Sequence, residues 1–168
     1  DFMLCAAMNP CPCGHYPDMN RCRCTPAQVM QYLGRISQPL LDRLDLCAEV
    51  SPVDFEGLSS GRKGESTQTI RERVICAQDI QRERYKIEGI QFNGELSGAQ
   101  IEKYCKMEKD ARQLLKMAFQ NMPFSARAYH RILKVARTIA DMEATESIHR
   151  HYIAEALSYR AFDKKYWN

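Results

Sequence analysis

Four of the chain's cysteines crowd into residues 11–24 as two short arms, Cys11-Pro-Cys13 and Cys22-Arg-Cys24. In an extended chain residues i and i+2 project to the same side, so each arm presents its two sulfurs together. The residues between the arms include Gly14, Pro17 and Asp18, which suit a loop. Folded back on that loop, the arms aim four thiolates at one point. Zinc takes four sulfurs at about 2.3 Å in a tetrahedron, and a closed set of four leaves no open position. Cys11, Cys13, Cys22 and Cys24 are therefore candidate ligands of a structural Zn2+. The usual spacing is longer, Cys-x2–4-Cys, so disulfides or unligated thiols stay open as alternatives. His15 is a further candidate for one position, although a lone loop histidine is ordinarily solvated. Arg21 and Arg23 would offset the negative charge of a four-thiolate centre.

Cys5, Cys47, Cys76 and Cys105 sit singly in apolar or periodic segments. A free thiol packs as a small hydrophobe, so these four are expected in the core. Many thiols without an export signal point to a reducing, cytoplasmic setting. No apolar run approaches the roughly 20 residues needed to cross a bilayer, so no membrane partner is expected. A length of 168 residues suits one ordinary domain or two small ones, and the net charge of +3 does not by itself announce nucleic-acid binding.

Along the chain, residues 2–8 form a short continuous apolar run, the pattern of a strand buried on both faces, ended by Asn9-Pro10. Thr25-Pro26 reads as an N-cap with proline at the first helical position, opening a helix that runs to Gly34. Ser37 caps a short second helix, and Leu44 to Val50 reads as another strand, stopped by Ser51-Pro52. Residues 54–66, with Gly57, Ser59, Ser60, Gly61, Arg62, Lys63 and Gly64, form a flexible connection. Everything beyond reads as helix. Ile70, Val74, Ala77 and Ile80 stripe one face, while Arg71, Arg73, Arg82 and Arg84 are expected in solvent. Ser97 and Gln100 form a capping box. Ala111, Leu114, Leu115 and Ala118 mark the next helix, and Pro123 breaks the chain. Ser125 caps a long helix with Tyr129, Ile132, Leu133, Ala136, Ile139 and Ala140 inward, and a last helix spans about 150–160. The expected fold is mixed: part of an α/β core over 1–53, a linker over 54–66, and an all-α bundle over 67–168.

Taken singly, the polar residues at the element ends are ordinary. Asn9 follows the first apolar run, Arg43 lies between a short helix and an expected strand, and Arg127 stands beside Ser125. A guanidinium nevertheless offers five fixed donors and a permanent charge, the chemistry that stabilises a transferring phosphoryl group. Their order is the informative feature. Phe2-Met-Leu-Cys-Ala-Ala-Met-Asn-Pro-Cys-Pro-Cys-Gly14 resembles the sensor-1 strand of the magnesium-chelatase-like AAA+ ATPases, in the competence-associated group that carries this cysteine insertion. Tyr32-Leu-Gly-Arg-Ile-Ser-Gln-Pro-Leu-Leu-Asp-Arg-Leu-Asp-Leu46 resembles that group's arginine-finger segment. Residues 125–141 resemble its sensor-2 helix, and Ala154-Glu-Ala-Leu-Ser-Tyr-Arg160 its closing helix.

The resemblance implies an α/β ATPase core with a helical lid, assembled as a homo-oligomeric ring, commonly a hexamer, that uses ATP and Mg2+ to remodel DNA, notably in branch migration. It implies that Asn9 lies near the γ-phosphate and attacking water. Arg43 becomes an arginine finger reaching the neighbouring subunit's nucleotide, with Asp42 orienting it through a charge-assisted bond. Arg127 becomes sensor 2, touching the phosphates from the lid.

The phosphate loop G-x-x-x-x-G-K-[ST] is missing from the sequence, since Gly61-Arg-Lys-Gly64 has the wrong spacing. No strand ends in paired acidic residues for magnesium either. Asp1 leads straight into an apolar run without a starting Met. The expectation is a chain cut in mid-domain, the C-terminal piece of a longer ATPase, unable to hydrolyse ATP alone. Two other readings remain at this point: a zinc-stabilised nucleic-acid or protein binding module without ATPase ancestry, and a chelatase-type assembly ATPase. Arg35, Arg62 and Lys63 are candidate DNA contacts, although exposed loop cations are ordinarily only solvated.

Overall fold

Thr25, Ser37, Ser97 and Ser125 each stand in extended conformation immediately before a helix in a computed structural model of the chain. The structure describes residues 3–50, 55, 59, 64–122 and 124–160, and these divide into two compact units between Leu44 and Asp45. Ser51-Pro52, Pro123, Phe2, Arg62, Lys63 and most of the expected 54–66 connection lie outside the described residues.

In the first unit, helix α1 spans Pro26–Leu33. Thr25 Oγ1 accepts the Gln28 amide at 3.3 Å, and Gln28 Oε1 accepts the Thr25 amide at 2.9 Å, so two otherwise unpaired donors are satisfied reciprocally. The helix ends where the Gly34 N–H donates to Met30 O at 2.8 Å. Val29 and Leu33 are its buried residues and pack against Cys11, with Cys13, Tyr16, Cys22, Cys24 and Tyr32 around them. Helix α2, Gln38–Leu41, is one turn long and buries Leu41.

The second unit contains α3 (Thr67–Tyr85), a 3₁₀ turn (Asn93–Glu95), α4 (Gly98–Tyr104), α5 (Lys109–Asn121), α6 (Ala126–Met142) and α7 (Arg150–Ser158). Helix α6 is central, meeting α3, α4, α7 and the 3₁₀ turn, while α5 packs on α7. Its Ala128, Ala136 and Ala140 alternate with Ile132 and Leu133 on the buried face, and the small residues let neighbouring helices approach closely. Ile132, Leu133, Ala136 and Ala140 join Ile101, Ala111, Leu115, Ile148, Ile153 and Ala156 in one apolar core. A short parallel bridge between Met107 and Ile148 ties the start of α5 to the start of α7. Cys47 N–H donates to Tyr159 O at 3.1 Å, which tethers the beginning of this unit to its end, and Asp45 pairs with Arg131 of α6 at 2.6 Å.

Four expectations are corrected. The α/β remnant is not found: among the described residues there are no strands, and residues 3–8 and 44–50 carry no regular structure. An apolar run becomes a central strand only when neighbours complete its ladder and layers cover its faces. Residues 3–8 have neither among the described residues, and Met3 is 92% exposed. Cys5 and Cys76 are exposed and Cys47 is half-buried, so of the four single cysteines only Cys105 belongs to the core. On α3, Ile70 and Val74 are exposed, and the buried positions are Ala77, Gln81 and Tyr85, because only the C-terminal half of that helix is packed. Arg84, expected in solvent, is largely buried against Asp141.

Candidate metal centre and candidate nucleotide-site residues

The two cysteine arms come together as their spacing requires. Cys11 Sγ lies 3.4 Å from Cys13 Sγ and 3.8 Å from Cys22 Sγ, and Cys13 and Cys22 are 3.6 Å apart. All four sulfurs, Cys24 included, lie within 4.8 Å of one another. Sulfurs at the corners of a tetrahedron about 2.3 Å from a central zinc stand about 3.8 Å apart, and the three sulfur separations among Cys11, Cys13 and Cys22 are close to that value. His15 is exposed and outside this group.

The loop between the arms is built from its own backbone. Gly14 N–H donates to Cys11 O at 3.0 Å, and Cys22 N–H donates to Asp18 O at 2.7 Å. Asp18 Oδ1 accepts the Asn20 amide at 3.0 Å, an Asx-type turn. Gly14 adopts φ +81°, open to glycine at little cost, and a Cβ there would stand 3.6 Å from Asn9 Nδ2. On the other side, Cys11 is fully buried against Val29 and Leu33, so α1 serves as the platform for the cluster.

The thiols are unequal. Backbone amides of His15 and Arg23 hold Cys13 down to about 6. Burial opposes ionisation of Cys11, but the amides of Tyr16, His15 and Cys13 together hold it below the ordinary thiol value. For Cys24 the Cys13 backbone favours the thiolate, yet burial and the neighbouring sulfurs outweigh it and push the thiol up to about 12. Cys22 is raised in the same way, against the pull of the Cys24 backbone. Four thiolates this close repel one another, and a dication at their centre would remove that opposition.

The other candidate residues lie at element ends. Asn9 is exposed and adjoins Gly14. Arg43 is exposed just after α2, and its guanidinium donates to Pro39 O at 2.7 Å, which ties it back to that turn. Asp42 is the C-cap of α2, its N–H donating to the carbonyls of Gln38 and Leu40. Arg127 is exposed in the first turn of α6, behind a Ser125 cap whose Oγ accepts the Ala128 amide at 3.2 Å. Asn9, Asp42 and Arg43 thus belong to the first unit and Arg127 to the second.

Two features of the structure lie outside the sequence-based expectations. Asp141 is fully buried and accepts from Arg84, from Arg137 Nε at 3.1 Å and from Asn93 Nδ2 at 2.8 Å. Its signal was available: Arg137 and Asp141 are four residues apart on the face that carries Leu133, Ala136 and Ala140. The second is a cleft of about 480 Å³ beside the cysteines, lined in part by Arg23, Gln28, Tyr32 and Arg35.

Residues 64–160 match the family model for magnesium chelatase, subunit ChlI C-terminal, and residues 1–58 match that for magnesium chelatase, subunit ChlI. The chain is 46% identical over 165 residues to the uncharacterized protein YifB of Salmonella typhimurium, covering 97% of this chain and 31% of that protein. It is 43% identical over 161 residues to the competence protein ComM of Haemophilus influenzae, covering 95% of this chain and 31% of that protein. Against the uncharacterized protein YifB of Escherichia coli the figures are 42% over 165 residues, 97% and 31%. The chain thus spans about a third of the length of the curated relatives it matches. Among the described residues no helix is long and apolar enough to cross a membrane.

Proposed function

The chain belongs to the magnesium chelatase ChlI family, in its ComM/YifB-type branch, and from that premise we propose that it is the sensing and lid portion of a ring-forming AAA+ ATPase that remodels DNA. The observation that carries this reading is the ordered set Asn9, Arg43 and Arg127 in a chain whose residues 1–58 and 64–160 match the two magnesium chelatase ChlI models. A phosphate loop and the acidic pair for Mg2+ are absent from these residues, so in this reading the parent protein supplies them and this chain alone does not turn over ATP.

Asn9 orients the attacking water at the γ-phosphate. Arg43 enters the neighbouring subunit's site and meets charge that develops on the transferring phosphoryl group, an effect worth about 10³–10⁵ in rate for arginines so placed. Asp42, next to it at the end of α2, holds its orientation. Arg127 engages the phosphates from the lid, so nucleotide state sets the lid's position. The short tether of the Arg43 guanidinium to Pro39 O supports a pre-set finger. Cys11, Cys13, Cys22 and Cys24 hold Zn2+, which supplies a cross-link between the two arms and takes no part in the chemistry. The ring is a homo-oligomer, a hexamer in the reading adopted here, and works in the cytoplasm on DNA. The relative named a competence protein supports DNA as the substrate.

Mixing tests the trans role. Subunits of the full-length protein carrying Arg43→Ala, and subunits lacking their phosphate-loop lysine, are each inactive alone. Together they regain turnover, because an intact finger then meets an intact phosphate loop at shared interfaces. No recovery in mixed rings would overturn the trans assignment.

A further inference from the structure

We propose that the cleft between α1 and the cysteine arms binds single-stranded DNA, gripping phosphate with Arg23 and Arg35 and stacking a base on Tyr32; this rests on the DNA reading given above. The cleft holds about 480 Å³, and no carboxylate is among its lining residues. Gln28, Gln31, Tyr32 and Arg35 fall at helical spacings of three and four, so one flank of α1 and its end forms one wall, and the Cys13 and Cys24 arms with Arg23 form the other.

Among the described residues neither Arg23 nor Arg35 forms an ion pair, and both are exposed. Arg35 Cζ instead lies 5.9 Å from the centroid of the Tyr32 ring. A guanidinium beside an aromatic face is the pairing that single-strand binders present to a nucleotide, one group for the phosphate and one for the base. Gln28 uses its Oε1 on the Thr25 amide, which leaves its NH2 as a donor. A duplex would offer the cleft only backbone and base edges, because its base faces are stacked, so the ring selects a single strand. An acidic peptide could use the arginines but has no planar group for the ring.

The cysteines define the cleft's other wall. A four-thiolate zinc centre carries net negative charge and opposes an anion, and Arg21, Arg23 and Arg35 outnumber that charge. A metal held by Cys11, Cys13, Cys22 and Cys24 would join the two arms and so keep Arg23 opposite α1.

The test is fluorescence anisotropy of a labelled oligothymidine on the full-length protein, with zinc content measured on every variant. Arg23→Gln and Arg35→Gln should each weaken binding by roughly tenfold, the scale of one lost hydrogen bond to a charged group. Each should also lower the salt slope by about 0.7, the value for one phosphate contact on a single strand. Tyr32→Phe keeps the ring and should bind as the parent does, while Tyr32→Ala should lose affinity at unchanged zinc content. Parent binding with no change in affinity or slope for either arginine variant overturns the cleft and leaves the DNA reading standing. A parent protein that binds no DNA sinks both. Displacement by polyglutamate as readily as by unlabelled oligonucleotide would also overturn the cleft, because the site would then read charge alone.

Discussion

Asp141 Oδ1 accepts the Arg137 Nε–H at 3.1 Å, one turn back along α6, with both side chains almost wholly buried. Arg84 closes on the same carboxylate from α3, and Asn93 donates to its other oxygen at 2.8 Å. Arg137 continues to the carbonyls of Thr145 and Glu146, beyond the end of α6. One carboxylate thus joins α3, the 3₁₀ turn, α6 and the chain entering α7. Breaking a buried pair by removing one partner strands the other charge, and such changes typically cost about 3–5 kcal/mol. Asp141→Asn, which leaves two arginines facing a neutral amide, should destabilise the second unit by an amount in that range. The check is the midpoint of chemical denaturation followed by helix content; an unchanged midpoint contradicts the assignment.

The cysteine centre predicts about one zinc per chain, measured by elemental analysis of protein purified without added metal. Cys11→Ser removes the most buried ligand and should abolish binding, and a chelator should loosen the first unit while leaving the second folded. A metal-free protein with four titratable thiols at these positions would refute the site.

Ser125 caps the helix that carries Arg127 in its first turn. Ser125→Ala leaves the Ala128 amide without that acceptor and should cost about 1 kcal/mol of stability. The loss should be read in the thermal midpoint of the full-length protein, and an Asp at this position should restore most of it.

Glu88 accepts from Lys103 Nζ at 2.6 Å, Tyr104 OH at 2.7 Å and Gln100 Nε2 at 3.2 Å. The Lys103 bond is the largest of these effects, and together they hold the Glu88 carboxyl at about 2 against an ordinary 4.5. Its folded value is depressed, so its stabilisation is fully present above about pH 4.5 and is lost as pH falls toward 2. Glu88→Gln should flatten the acid limb of the stability profile within that window and leave its neutral limb sloping as before.

What the sequence shows most plainly is what is decided locally. The caps at Thr25 and Ser125 need only a hydroxyl and an amide three residues on, and both are found as expected, while at Ser97 it is Gln100 Oε1 that accepts the Ser97 amide at 2.9 Å. The four sulfurs are close in sequence, so their convergence needed only one loop. The apolar runs 2–8 and 44–50 carry a strand pattern, but a strand is completed by its partners, and residues 3–8 and 44–50 have none among the described residues. The burial of Arg84 is hidden for a related reason: its partner lies 57 residues away, where spacing along one helix carries no information. Asn9, Arg43 and Arg127 stand out by their order within a family pattern, since each by itself is an exposed polar residue at an element end.

In the proposed function Arg43 acts on nucleotide bound by the neighbouring subunit. The most direct measurement is steady-state ATP turnover of Arg43→Ala in the full-length protein beside its equilibrium affinity for ATP. A trans-acting finger predicts turnover lower by about 10³-fold or more with affinity little changed. Turnover equal to the parent's would contradict it.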